Sequence, residues 1–394
     1  MYLEKDEERI LDGENGETLQ KSMEILVTLG KIYGANRLIP IESAQIAGVS
    51  YKTIGDAGIE WIEDIDAKVV VPAILNPMGM DREIWQEMGI TDAFYTKQIR
   101  ILDAYSKMGI KIECTCTPYY LEGGAPKLGD HLAWSESSAV SFANSVLGAK
   151  TNREGGISAL ASALIGKTPL YGYHLDKNRV PVITIRVPFP VSGSDFGALG
   201  YVMGKTIGDR VAIFELEATR KPSNDELKSL GAALAATGAV ALYHVKGVTP
   251  EADQFEIPEE VVVVEEREIA EVYERAGSCT PDLIAVGCPH LSINKLELTA
   301  ELLGGKKVKR EFWLCVSRDI KERRQDLVET IESSGAKVIS DTCMVVSPAC
   351  ERFDCIMTDS GKALNYIPSM CRTKAVFGSF ERCIEVALGE DRKH

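Results

Sequence analysis

The stretch DLIAVGCPHLSINKLELTAELLGG, residues 282 to 305, combines an apolar run, a Cys-Pro-His turn and a helical pattern. The apolar run has the length of a buried strand, and the apolar residues after the turn recur at helical spacing. The following segments continue this alternation as KREFWLCVS, KERRQDLVETIESSG and AKVISDTC. Strands that alternate with helices predict an α/β fold with a mostly parallel sheet.

The same alternation occurs upstream, so we predict several α/β units. The segment ETLQKSMEILVTLGKIYGAN places Leu19, Met23, Leu26 and Tyr33 on one face of an amphipathic helix that ends near Gly34. From about residue 175 the sequence becomes β-branched and rich in Pro and Gly, which indicates a second domain. The predicted domains are 1–175, 176–275 and 276–394, and the last of them carries Cys288 and Cys343.

Composition and charge exclude several classes of protein. The first residues, MYLEKDEERILDGENGE, are charged where a secretory signal is apolar, and no apolar run reaches the ~18 residues of a membrane span. We therefore expect a cytoplasmic protein without a membrane partner. The net charge of -14 repels nucleic acid, and the sequence contains no concentrated basic patch. A small anionic substrate fits only where a few basic side chains converge.

Three apolar runs of strand length end at a cysteine: IKIECTC at Cys116, PDLIAVGC at Cys288 and GAKVISDTC at Cys343. Ligands of open α/β sheets bind beyond the carboxyl ends of the strands, so these thiols can meet in one crevice. A shared site for Cys116, Cys288 and Cys343 is one interpretation of this pattern, and Cys114, deeper in its strand, is predicted to pack in the core. Each cysteine taken singly is more typical of an ordinary buried residue than of a site residue.

The other cysteines are predicted to be structural or superficial, although Cys350 and Cys355 lie close enough to Cys343 in sequence to be alternative ligands. No Cys-x-x-Cys motif occurs, which argues against zinc ribbons and thioredoxin-like sites. Without an export signal, reduced thiols are expected rather than a disulfide framework. These remaining cysteines are Cys279, Cys315, Cys350, Cys355, Cys371 and Cys383.

Polar residues cluster at several predicted strand or helix junctions. Ser360-Gly361-Lys362, at a predicted helix start, offers backbone N–H groups and an ammonium that suit a carboxylate or a phosphate. Simple helix capping is the slightly favoured interpretation of such residues. His290, two residues after Cys288, is a further candidate. The other candidates are Lys52, His131, Glu136, Ser137, Ser138, Asn152 and Arg153.

Six strings resemble the aconitase X family, in order and over nearly the whole chain: IESAQIAGVSYKTIGDAG, TCTPYY, AWSESSAVSFANSVLGAKTNREGG, GALGYVMGK, VGCPHLS and DTCMVV. In addition, GCPHLSINKLELTAELLGGKKV is similar to the aconitase segment that supplies a cluster cysteine. The resemblance implies an aconitase-like fold, with several α/β/α subdomains around a central crevice and no swivel domain. It also implies that Cys116, Cys288 and Cys343 hold an iron–sulfur cluster, most simply of the 4Fe–4S type.

A cluster with three cysteine ligands leaves one iron free to act as a Lewis acid on a substrate hydroxyl, which suits a dehydratase (hydro-lyase). A proton donor must assist the leaving hydroxide, and His290, His131 and Glu136 are the candidates. The resemblance implies a small swivel-domain subunit that supplies a catalytic serine. The predicted substrate-binding residues are Lys52, Ser137, Ser138, Asn152, Arg153, Ser360 and Lys362.

The resemblance leaves two substrates open. Archaeal two-subunit members of the family dehydrate (R)-5-phosphomevalonate to trans-anhydromevalonate 5-phosphate in a modified mevalonate pathway of isoprenoid synthesis. Bacterial relatives dehydrate cis-3-hydroxy-L-proline. The chain's length and its acidic composition favour the large subunit of the phosphomevalonate enzyme. A cluster-binding scaffold without activity is the alternative of another class.

Overall fold

The computed structural model describes residues 1–217, 220–274 and 279–390 of the chain. Within these ranges the chain forms three parallel sheets flanked by helices, which confirms the predicted α/β class. No helix in the described ranges is both long and apolar enough to span a bilayer.

The first part of the chain builds a four-stranded sheet. Its elements are α1 (Lys5–Leu11), α2 (Glu17–Ile32), β1 (Leu38–Pro40), β2 (Ser43–Ile46), α3 (Tyr51–Glu63), β3 (Ala73–Leu75), α4 (Asp92–Lys107), β4 (Lys111–Cys114), β5 (Leu132–Trp134), α5 (Ser137–Phe142), α6 (Gly156–Ile165) and β6 (Lys167–Pro169). The sheet order is β4-β3-β2-β5, whereas β1 and β6 form an antiparallel pair. Helix α2 is the predicted amphipathic helix and buries Met23 and Leu26, but Tyr33 lies beyond its end and stacks on Tyr171.

The middle part builds a second sheet in the order β10-β7-β8-β9. Its elements are β7 (Ile183–Val187), α7 (Asp195–Ile207), β8 (Ala212–Leu216), α8 (Asn224–Gly238), β9 (Tyr243–Val245), β10 (Val261–Val263) and α9 (Glu266–Glu274). Helices α7 and α8 pack closely together at Gly200. A Cβ atom at this position would lie only 2.5 Å from the Leu230 carbonyl oxygen, so a side chain there would clash. The glycines of GALGYVMG therefore serve helix packing.

The last part builds a five-stranded sheet in the order β13-β12-β11-β14-β15. Its elements are β11 (Leu283–Val286), α10 (Ile293–Leu303), β12 (Glu311–Cys315), α11 (Arg318–Arg323), α12 (Gln325–Ser333), β13 (Lys337–Ile339), β14 (Cys355–Thr358), α13 (Gly361–Tyr366), β15 (Lys374–Phe377) and α14 (Phe380–Ala387). The stretch 282 to 305 is thus β11, a turn and α10, as predicted.

A disulfide joins Cys279 to Cys355, contrary to the expectation that these thiols are reduced. It tethers the segment before β11 to the first residue of β14, the neighbouring strand. With its sulfur in this bond, Cys355 is not available as an alternative metal ligand.

The first and third sheets are joined at their carboxyl edges. Met78, after β3, forms a parallel bridge with Thr342, after β13. The Met78 N–H donates to the Asp341 carbonyl at 2.8 Å, and the Cys343 N–H donates to the Met78 carbonyl at 2.9 Å. Strand-end residues of two separate sheets therefore meet in one place.

Candidate active site

The three cysteines predicted to share a site each follow the carboxyl end of a parallel strand. Cys116 follows β4, Cys288 follows β11 and Cys343 follows β13. Cys116 is buried, whereas Cys288 and Cys343 are partly exposed. Cys114, in contrast, is fully buried in the core of the first sheet, as predicted.

These thiols are close enough to interact electrostatically. Burial raises the pKa of Cys116, and the charges of Glu136 and Cys288 raise it further. Burial also raises the pKa of Cys288 to about 12, and the nearby Cys343 adds to this effect. The Lys362 ammonium acts in the opposite direction on all three thiols. The buried ammonium therefore offsets part of the effect of burial on the three thiols and favours the thiolate, which is the form that binds metal.

Glu136 and Lys362 form a buried ion pair beside the thiols. Glu136 is the N-cap of α5, and Lys362 lies in the first turn of α13. The Glu136 carboxylate accepts hydrogen bonds from Lys362 Nζ, from Asn76 Nδ2 at 2.8 Å and from Ser138 Oγ at 3.0 Å. Burial opposes ionisation of Glu136, but the ammonium and these hydrogen bonds lower its pKa to about 2. Glu136 is therefore ionised at neutral pH.

His290 is buried, and both of its ring nitrogens have partners. Nε2 lies 2.9 Å from the Thr342 carbonyl oxygen, and Nδ1 lies 3.1 Å from Thr115 Oγ1. Burial lowers the pKa of His290 to about 4, so the ring is neutral at neutral pH. A carbonyl only accepts, so Nε2 carries the proton and Nδ1 accepts from the threonine hydroxyl.

Ser360 and Ser137 lie at helix starts beside the site. The Ser360 hydroxyl donates to the Cys288 carbonyl and accepts from the Ala363 N–H at 3.1 Å, which caps α13. The helix start predicted at Ser360 is therefore confirmed. Ser137 Oγ lies 3.5 Å from Glu136 Oε1, at the limit of a hydrogen bond.

The other predicted substrate-binding residues differ in their surroundings. Lys52 Nζ already forms an ion pair with Glu351 at 2.7 Å. Asn152 is buried and donates to the Tyr171 carbonyl at 3.2 Å, so it supports a loop of the first domain. Arg153 is exposed and forms no ion pair with another described residue. Of these three side chains, only Arg153 offers an unpaired charge to an incoming anion.

His131 does not join the thiols. It precedes β5, whereas Glu136 follows the other end of this short strand. Its Nδ1 lies 3.0 Å from Nδ1 of His174, and burial lowers its pKa. Proximity to Glu136 in the sequence suggested a shared site, but the strand between them separates the two side chains.

Sequence reasoning missed two residues at the site. Asn76, after β3, donates to Glu136, and its own Oδ1 is buried without a hydrogen-bond partner among the described residues. Lys228, in α8 of the middle domain, donates to the His290 carbonyl at 3.0 Å and pairs with Asp225 at 2.9 Å. The signal for Asn76 was its place directly after an apolar run. No comparable signal identified Lys228.

A cleft of about 690 Å³ between the middle and last domains reaches Cys288 and Ser360. The basic groups that line it are Arg220, Lys228 and Lys295. Arg220 and Lys228 already pair with carboxylates, whereas Lys295 Nζ lies 3.9 Å above the Phe380 ring. The cleft gives small molecules a path to the partly exposed thiol.

The three strand-end thiols are the kind of donor that an iron–sulfur cluster would use. Among the described residues, no group of three or more His, Cys, Asp or Glu side chains is placed to hold a metal ion. Cluster thiolates bind different iron atoms, so they need not converge on one point. The His290 N–H also lies 3.2 Å from Cys116 Sγ, and such hydrogen bonds to sulfur tune cluster potentials.

Three family models of aconitase X domains match this chain. The model of the first domain matches residues 1–177, that of the second domain matches 176–274, and that of the third domain matches 281–389. The chain belongs to the aconitase X family.

Individual relatives agree with this assignment. The chain is 60% identical to the phosphomevalonate dehydratase large subunit of Methanosarcina mazei, covering 100% of this chain and 99% of that protein. Its identity to the protein of the same name from Methanocaldococcus jannaschii is 51%, with coverage of 98% and 100%. The crystal structure of Thermococcus kodakaraensis aconitase X in its holo-form matches with a TM-score of 0.91 and 47% identity, covering 98% of this chain and 100% of that chain. The predicted aconitase-like fold is thereby confirmed.

Proposed function

We propose that this chain is the large subunit of a hydro-lyase that dehydrates (R)-5-phosphomevalonate to trans-anhydromevalonate 5-phosphate. The observation that carries the proposal is end-to-end similarity to proteins named phosphomevalonate dehydratase large subunit, at 60% and 51% identity. The alternative, cis-3-hydroxy-L-proline dehydratase, has weaker support. The Pseudomonas aeruginosa enzyme of that name is 32% identical, and the match covers only 69% of its length.

Cys116, Cys288 and Cys343 would hold an iron–sulfur cluster, which supplies a Lewis acid toward the substrate hydroxyl when bound. The support for this assignment is the position of the thiols at strand ends, their mutual interaction and the cation beside them. Cys350 is a weaker candidate, because it is fully buried and hydrogen-bonds to Cys371.

The ion pair between Glu136 and Lys362 would couple substrate binding to proton transfer. A substrate carboxylate that binds the Lys362 ammonium competes with Glu136 for the same charge. Glu136 remains buried but loses its counter-charge, so its pKa rises and it takes up a proton. The protonated carboxyl group can then donate this proton to the oxygen of the leaving hydroxide.

Removal of the carbon-bound proton requires a base that we assign to a second chain. The relatives' names describe a large subunit, and we propose a small swivel-domain subunit that supplies a serine for this step. Arg153, exposed and without an ion pair among the described residues, is the candidate in this chain for binding the substrate phosphate.

The test is dehydration by the anaerobically purified chain, with and without its small subunit. We expect phosphomevalonate to lose one water only when both subunits are present, and we expect cis-3-hydroxy-L-proline to remain unchanged. Arg153→Gln should raise KM for phosphomevalonate with less effect on kcat. Dehydration of cis-3-hydroxy-L-proline instead would contradict the assigned substrate.

A further inference from the structure

We propose that His290 is a positioning residue that fixes the three cysteine-bearing loops relative to one another, and that it is not the proton donor. The inference deepens the proposed function and rests on it for the cluster that the loops would hold. The inference is based on the hydrogen bonds that His290 forms.

The imidazole ring connects the loop of Cys116 to the loop of Cys343. Nδ1 lies 3.1 Å from the hydroxyl oxygen of Thr115, the residue before Cys116. Nε2 lies 2.9 Å from the carbonyl oxygen of Thr342, the residue before Cys343. The two threonines come from different sheets, so the ring bridges the first and last domains directly beside two of the thiols.

The backbone of His290 adds two further connections. Its N–H donates to Cys116 Sγ at 3.2 Å, and its carbonyl accepts from Lys228 Nζ at 3.0 Å. His290 follows Cys288 by two residues, with Pro289 between them. One residue therefore contacts the immediate neighbourhood of every proposed ligand and also a helix of the middle domain.

The same contacts leave no free ring nitrogen for a substrate. His290 is 1% exposed, and Thr115 and Thr342 are both fully buried. A histidine that donated to substrate through Nε2 would have to break this hydrogen bond and leave the buried Thr342 carbonyl without its partner, which is unfavourable. The Glu136 carboxylate, in contrast, bonds to Lys362, Asn76 and Ser138 and so does not hold a cysteine-bearing loop in this way.

The experiment compares three variants of the full chain with the wild type. His290→Phe keeps a ring but removes both side-chain hydrogen bonds. Thr115→Val removes the bond at Nδ1 together with the contacts of the Thr115 hydroxyl to Thr117. His244→Phe is the matched control, because His244 is fully buried in the middle domain and binds the Arg179 carbonyl at 2.8 Å. Hydrogen–deuterium exchange of the metal-free chains measures how well the backbone amides in the loops of Thr115 and Thr342 are protected. Iron and sulfide per chain after reconstitution report the cluster.

We expect His290→Phe to speed exchange in both loops, 115–117 and 341–344, and to weaken cluster retention against a chelator by about 10- to 100-fold, the usual effect of losing a ligand's support. Thr115→Val should affect mainly the first loop, and His244→Phe neither. If His290→Phe does not fold, the comparison of Thr115→Val with Thr117→Val decides the question, because Thr117→Val removes the bond between the two threonine hydroxyls and keeps the bond at Nδ1. Only Thr115→Val should then weaken cluster retention, and equal retention by the two variants would overturn the proposal.

Full cluster retention and unchanged loop exchange in His290→Phe, with loss of kcat alone, would overturn the proposal and favour a proton donor. A wild-type chain that binds no iron would instead contradict the proposed cluster. Loop exchange alone would then decide whether His290 has a positioning role. The two failures are therefore distinguishable.

Discussion

Glu136 and Lys362 illustrate how single residues are held at this site. Their side chains are only 11% and 8% exposed, and each neutralises the other. Breaking such a pair by removing one partner leaves an uncompensated buried charge. The pair therefore sets both the local stability and the charge that faces the thiols.

Glu136→Gln should destabilise the metal-free chain by about 3–5 kcal/mol, because Lys362 loses its counter-ion in a buried position. Urea unfolding measures this difference. The matched control is Glu63→Gln, which breaks the more exposed pair of Glu63 with Arg100 and should cost less than about 1 kcal/mol. An equal effect of the two substitutions would contradict the burial argument.

The pH dependence of stability follows from the same carboxylate. Its folded pKa of about 2 lies below the ordinary value of ~4.3, so Glu136 stabilises the fold fully above that ordinary value. This stabilisation is lost as the pH falls from about 5 towards 2. The wild type should therefore lose more stability over this window than Glu136→Gln. Parallel stability curves for the two proteins would be the contrary result.

At the scale of elements, helix α13 connects the strand-end sites. Its cap, Ser360, accepts from Ala363 and also donates to the Cys288 carbonyl. The same helix presents Lys362 to Glu136 in its first turn. One helix start thus orients both a proposed ligand loop and the ion pair.

Ser360→Ala should cost about 0.5–2 kcal/mol of stability, because α13 loses its cap. The matched control is Ser379→Ala, which removes the cap of α14, where Ser379 Oγ accepts from the Arg382 N–H at 3.0 Å. We expect similar losses in unfolding experiments, but faster loss of iron only from Ser360→Ala, since only this cap holds the Cys288 loop. Equal retention of iron by both variants would contradict that role.

Local sequence patterns predicted the elements well and the site partly. The strand-end positions of Cys116, Cys288 and Cys343 followed from apolar runs, which record burial directly. The pairing of Glu136 with Lys362 spans 226 positions and leaves no local signal. His131 was grouped with Glu136 because spacing along the chain does not show which end of a strand a residue occupies. The pairing of Glu136 with Lys362 and the separation of His131 from Glu136 both depend on how distant segments of the chain pack in three dimensions.

At the scale of the whole molecule, a buried ion cluster fastens the first domain to the last. Arg318, at the start of α11, lies 2.6 Å from Asp341 and 3.2 Å from Asp81. Arg82 adds a second contact to Asp341 at 2.8 Å, and neither aspartate is exposed to solvent. Because Asp341 precedes the Cys343 loop, the cluster also fixes the geometry at the domain boundary.

Arg318→Met should destabilise the chain by about 3–5 kcal/mol, since two buried carboxylates lose a counter-charge. Thermal or urea unfolding measures the loss, and limited proteolysis should show earlier cleavage near the boundary between the domains. Arg324→Met is the control, because its partners Glu297 and Asp326 are 51% and 65% exposed. A comparable loss in both variants would show that the buried cluster adds nothing specific.

The most direct test of the shared thiol site is iron and acid-labile sulfide per chain after anaerobic purification. The wild type should be compared with Cys288→Ala and with Cys383→Ala, a control that removes a fully buried cysteine of α14. We expect stoichiometric iron and sulfide in the wild type and in Cys383→Ala, and their loss in Cys288→Ala. Absence of iron from all three proteins, or full retention in Cys288→Ala, would contradict a cluster held by the strand-end cysteines.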